Sequence, residues 1–122
     1  MSPRLGRGSG PATVQLSTTD SVAGYEIEET LGIVTAEWVG GVNLFRDFFA
    51  GVRDIVGGRS GSLERALHDG RDTCLEELRE AAYDMGAQGV VSVKFDYSPF
   101  GKMLLLAASG TAVRLIAGRP QR

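Results

Sequence analysis

The sequence predicts an α+β fold of order β-β-α-α-β-β, with a mostly antiparallel sheet packed on two helices. Three observations carry that reading. Alternating apolar and polar runs occupy both ends of the chain, whereas two central segments repeat apolar residues at helical spacing. A chain of 122 residues and 13.0 kDa, 43% apolar, is the size of one domain with one core.

Residues 1–12 read as a flexible tail, broken by Pro3, Gly6, Gly8, Gly10 and Pro11. The domain spans 13–117, and 118–122 form a second short tail. Over residues 13–19, Val14 and Leu16 alternate with Thr13, Gln15 and Ser17, a short strand. A turn follows through Asp20 and Gly24. Tyr25 and Ile27 then alternate with Glu26 and Glu28, and residues 33–38 are rich in β-branched and apolar types. Residues 25–39 are expected as one long strand, broken or bulged near Gly32 and ended by Gly40 and Gly41.

Phe45, Phe48, Phe49, Val52, Ile55 and Val56 lie on one face of a helix, with Asn43 placed to cap it and Gly57 to stop it. A second helix is expected after Ser62. Its apolar face holds Leu63, Leu67, Cys74, Leu78, Ala81, Ala82 and Met85, and Gly86 is placed as its C-cap. Gly70 looks like a weak point, since glycine within a helix costs about 1 kcal/mol against alanine.

Val91, Val93, Phe95 and Tyr97 alternate with Ser92, Lys94 and Asp96, which predicts a strand with one apolar face. After a turn over residues 98–101, residues 103–116 form a long, mostly apolar strand, expected to be buried on both faces. Two helices cover only one face of a four-stranded sheet. The other face then needs a partner, most simply a second copy of the chain.

Composition narrows the function. One Cys excludes an internal disulfide and a Cys-based zinc cluster, and one His excludes a multi-His site within one chain. The net charge is -2 and the pI about 5.4. With Arg4, Arg7, Arg119 and Arg122 of the end segments set aside, 9 basic and 15 acidic residues remain. That balance argues against nucleic acid as a partner. No apolar run approaches a membrane span or a secretory signal, so a cytoplasmic protein with a reduced thiol and no membrane partner is expected.

Four constellations carry candidate chemistry. In the connector Gly57, Gly58, Arg59, Ser60, Gly61 and Ser62, glycines can turn backbone N–H groups inward ahead of a helix N-terminus. Arg59 adds charge, so a phosphate or carboxylate is the ligand class to expect. The competing reading is a tight link that simply needs small residues. Arg46, Asp47, Arg53 and Asp54 flank the first apolar stripe and read foremost as ion pairs between subunits, against a solvated flank or a ligand site. Glu64, His68 and Asp72 fall at i, i+4 and i+8 and form a weak metal alternative on a face expected to meet solvent. Cys74 lies on the apolar face and reads as core. For catalysis, Ser60, Ser109 and Cys74 are the candidate nucleophiles, but His68 sits about 240° around the helix from Cys74. No catalytic residue or cofactor is indicated, and the sequence leans away from an enzyme.

Residues 44–61, Leu-Phe-Arg-Asp-Phe-Phe-Ala-Gly-Val-Arg-Asp-Ile-Val-Gly-Gly-Arg-Ser-Gly, resemble the signature segment of the YbjQ-like family. Ser17-Thr18-Thr19, Gly86-Ala87, Val90-Val91 and Ser109-Gly110-Thr111-Ala112-Val113 extend the resemblance over about residues 13–116. The resemblance implies an α+β subunit in a ring-shaped homopentamer, and it brings a label of heavy-metal binding. The combined expectation is a homo-oligomeric, ring-forming protein that serves as a small-ligand-binding or scaffold module. A metal-binding protein with sites shared between subunits is the alternative, and an enzyme comes third.

Overall fold

The computed structural model describes residues 8–40, 61–100 and 103–118. A 3-10 turn, Pro11–Thr13, leads into β1 (Gln15–Leu16) and β2 (Tyr25–Gly40); α1 (Gly61–Asp84) follows, then β3 (Gly89–Phe100) and β4 (Met103–Ala117). The four strands form one sheet in the order β1-β3-β4-β2. β1 runs parallel to β3, and β3–β4 and β2–β4 are antiparallel.

The α+β class stands, with one helix and a mixed sheet among the described residues. The pattern differs from the expected β-β-α-α-β-β in two ways: a 3-10 turn comes first, and the first strand is only two residues long and parallel to its neighbour. The helix expected over 45–56 lies outside the described residues. Alternation reports which face a residue takes, not strand direction or partner. The direction of β1 is set by backbone bonds: Gln15 N–H donates to Gln88 O (3.0 Å), Ser17 N–H to Val90 O (2.9 Å), Val93 N–H to Ser17 O (3.0 Å) and Ser92 N–H to Thr19 O (2.8 Å).

Helix α1 packs through Cys74, Leu78 and Ala82, one stripe at four-residue spacing and fully buried. Against it lie Val34 and Ala36 of β2, Leu106, Ala108 and Ala112 of β4, and Val90 and Val93 of β3. Gly86, at φ +84°, ends the helix as expected. Ala87 N–H donates to Ala82 O and Gly86 N–H to Tyr83 O, each at 2.9 Å, the paired bonds of a Schellman cap. Gly70 proves to be a close-packing position, because the indole of Trp38 occupies the space beside it.

Two strands carry irregularities that redistribute the core. The β2–β4 register shifts between Ile27 and Glu29 and again between Thr30 and Gly32, where Gly32 takes φ +148°. Of the break or bulge expected near Gly32, the structure has the bulge, in a strand that stays continuous. In β3 the register shifts between Val91 and Lys94, and Ser92 takes φ +55°. One extra residue there reverses the side-chain alternation. Val91 thus leaves the face that Val93 and Phe95 share with the helix, correcting the single apolar face read from the sequence. It packs instead with Val113 and Leu115, beneath Val22 and Tyr25, in a second cluster.

β4 is consequently covered on both faces along part of its length. Leu106, Ala108 and Ala112 meet the helix side, and Val113 and Leu115 meet the segment around Val22. Gln88 ties this end together: its Oε1 accepts Leu115 N–H at 3.0 Å, and its own N–H donates to Val113 O at 3.1 Å.

Candidate functional site

The residues most strongly marked by sequence fall largely outside the described set. These are Arg46, Asp47, Arg53 and Asp54, and Gly57, Gly58, Arg59 and Ser60 of the connector. The last two connector residues, Gly61 and Ser62, form the first turn of α1. An acidic residue, Glu64, stands in that same turn, where it complements the positive helix end.

The metal alternative lies on the outward side of α1. His68 Nε2 is 3.5 Å from Asp72 Oδ2, with the two side chains 68% and 66% exposed. A polar contact this open to water contributes little. Glu64 is exposed one turn earlier. Among the described residues, no group of three or more His, Cys, Asp or Glu is disposed to hold a metal ion.

Cys74 is on the opposite side of the helix, fully buried. Its Sγ lies 3.8 Å from Leu106 O, across the helix–sheet junction. Burial pushes its thiol pKa up, and the charges of Glu77 and Glu37 push the same way. A thiol held protonated is a poor nucleophile and a poor metal ligand. Ser109 lies in β4, paired across the ladder with Thr35 and Lys94.

Residues 17–19, expected as the end of the first strand, instead begin the turn after β1. Ser17 Oγ accepts Thr19 N–H at 3.1 Å, Thr19 Oγ1 donates to Ser21 O at 2.6 Å, and the hydroxyls of Ser17 and Thr19 are hydrogen-bonded to each other. This closed network fixes the reversal that carries Val22 and Tyr25 back over Val91, Val113 and Leu115. The Ser-Thr-Thr run was the available signal, since hydroxyl side chains spaced two apart favour such turns.

The remaining feature is the uncovered part of the sheet. Val34 and Ala36 point to the helix, so Ile33, Thr35, Glu37 and Val39 take the far face. Ile33 is 78% exposed, the most open of the large hydrophobic residues among those described, and Val39 and Met103 are exposed on the same strand pair. β2 ends the sheet, and β1 accompanies β3 only as far as Val93. Among the described residues, the sheet therefore has two long open stretches of backbone besides the two-residue outer edge of β1: the outer edge of β2, and β3 from Lys94 onward.

Among the described residues no helix is long and apolar enough to cross a membrane. Residues 14–116 match the model of the YbjQ family, described as "Putative heavy-metal-binding". A solved structure of a protein of unknown function from Pediococcus pentosaceus, assigned to the DUF74 family, is similar at 14% identity and a TM-score of 0.49. It covers 84% of this chain and 97% of that one.

Proposed function

This chain belongs to the YbjQ family, and on that basis we propose that it is a self-assembling protein whose subunits join sheet edge to sheet edge into a ring. The carrying observation is the pair of unlike edges left open among the described residues. β2 offers 16 residues on one side of the sheet, and β3 offers its second half on the other. Long unpaired strands are templates for further strands, and β2 lacks a Pro or Lys that would blunt it. Joining two different edges is a head-to-tail contact, which gives a closed ring when the rotation closes. The exposed Ile33 and Val39 supply apolar area beside that seam. Arg46, Asp47, Arg53 and Asp54 serve as ion pairs between subunits in this reading. The connector over residues 57–62 is its docking point for a small anionic ligand.

Native mass spectrometry of the purified chain tests the assembly. A discrete oligomer is expected, shifting toward single subunits in an Ile33→Lys, Val39→Lys double variant that keeps its circular dichroism, and weakening in Arg53→Ala. A wild-type chain that remains a single subunit at millimolar concentration overturns the proposal. The ligand part is tested separately. Phosphate or sulfate should raise the melting temperature, and Arg59→Ala should abolish the gain.

A further inference from the structure

We infer that this chain builds no thiolate site for a soft metal ion, neither within one subunit nor between subunits, so the heavy-metal label of its family does not extend to it through thiolate chemistry. The inference is independent of whether the chain assembles.

Soft metals select thiolates and thioethers, and zinc takes thiolates at about 2.3 Å. The chain has one Cys, one His and three Met. The sulfur of Cys74 is enclosed between α1 and the sheet, in one cluster with Leu78, Ala108 and Leu106, and it lies 3.8 Å from the backbone carbonyl of Leu106. A second subunit docking on the sheet edges, the open sheet face or the outer side of α1 meets the protein surface. It cannot bring another sulfur to Cys74 without prising the helix from the sheet. Assembly therefore leaves the thiol count at each Cys74 unchanged.

The thioethers do not make up the difference. Met85 reaches Gly32, which pairs with Ala112, whereas Met103 begins β4 nine residues away. At about 3.3 Å per residue that separates them by roughly 30 Å. Met1 lies outside the described residues. The single imidazole, His68, faces water on the other side of the helix from Cys74. Among the described residues, the other exposed candidate ligands are carboxylates, suited to hard ions.

The test uses the full chain and cadmium. In the folded protein, Ellman's reagent should leave the thiol unreacted until denaturant is added, when one equivalent per chain appears. Titration with Cd²⁺ should give no sulfur-to-metal charge-transfer absorption in the ultraviolet. Cadmium uptake without that band, and unchanged in Cys74→Ala, also supports the inference by placing the ion on ligands other than the thiolate. A stoichiometric band in the folded wild type overturns it, as does rapid native reaction with Ellman's reagent. The reagent experiment needs no variant, so a Cys74→Ala chain that fails to fold does not weaken the test.

Discussion

The indole of Trp38 sits where Gly70 would carry a side chain: a Cβ placed there meets Trp38 Cδ2 at 2.7 Å and Cε3 at 2.8 Å. An interior helix glycine is normally a liability, and replacing it with alanine normally stabilises by about 1 kcal/mol. Here the ring takes up the space, and overpacking of a filled core costs about 1–3 kcal/mol.

Gly70→Ala is therefore expected to lower stability despite its better helix propensity, and Gly70→Ala with Trp38→Phe should recover part of the loss. Urea unfolding of the two variants measures both. A Gly70→Ala chain more stable than wild type would show that Trp38 can move aside freely.

Ser92 is the only described non-glycine residue at positive φ, at +55°. That conformation costs an L-residue about 1–2 kcal/mol, which glycine avoids, although glycine loses more backbone entropy on folding. Ser92→Gly should be stabilising by a few tenths to about 1 kcal/mol. Ser92→Val, β-branched at the same φ, should be destabilising by more than 1 kcal/mol. The pair of denaturation midpoints should bracket wild type. If the valine variant matches wild type, the bulge has moved, and Val91 has left the cluster of Val113 and Leu115.

This bulge marks where the sequence stopped being legible. Helix α1 was readable from Cys74, Leu78 and Ala82 and from the Gly86 stop, because a 3.6-residue period and a C-cap are local signals. The extent of β2 and its bulge near Gly32 were readable for the same reason. The two-faced core was not. Val91 to Tyr97 reads as a perfect alternation, and only the inserted Ser92, held by Thr19 O, sends Val91 to the other side. That contact joins segments more than 70 residues apart in sequence. Likewise Gly70 shows its reason only once Trp38 of β2 is laid across it. Of the candidate site, the solvent-facing His68 and Asp72 and the buried Cys74 lie where the helix period put them.

Gly86 separates conformational strain from crowding. A Cβ there comes no closer than 3.4 Å, to Arg114 Nη2 at the end of a flexible side chain, so space is not the obstacle. Its φ of +84° is. Gly86→Ala should cost about 1 kcal/mol, and Gly86→Asn, which tolerates the left-handed region better, should cost less. Thermal unfolding ranks the three chains. Equal melting temperatures for alanine and asparagine would mean that the cap relaxes out of the left-handed region.

Cys74 gives the fold a pH dependence whose direction follows from its burial. Its thiol is pushed above the ordinary value of 9.0, chiefly by desolvation and then by Glu77 and Glu37. Below the ordinary value the folded and unfolded chains both keep the proton, and this group's stabilising contribution is fully present. As pH rises past 9.0 the unfolded chain releases the proton while the folded chain retains it, so stability falls until the folded pKa is passed. Other groups titrate in the same range, so the informative quantity is the difference between wild type and Cys74→Ala. Urea midpoints taken from pH 7 to pH 10.5 should fall more steeply for wild type at the alkaline end, with parallel curves below about pH 8. Parallel curves throughout would mean that water reaches Sγ in the folded protein, in conflict with its enclosed position beside Leu106 O.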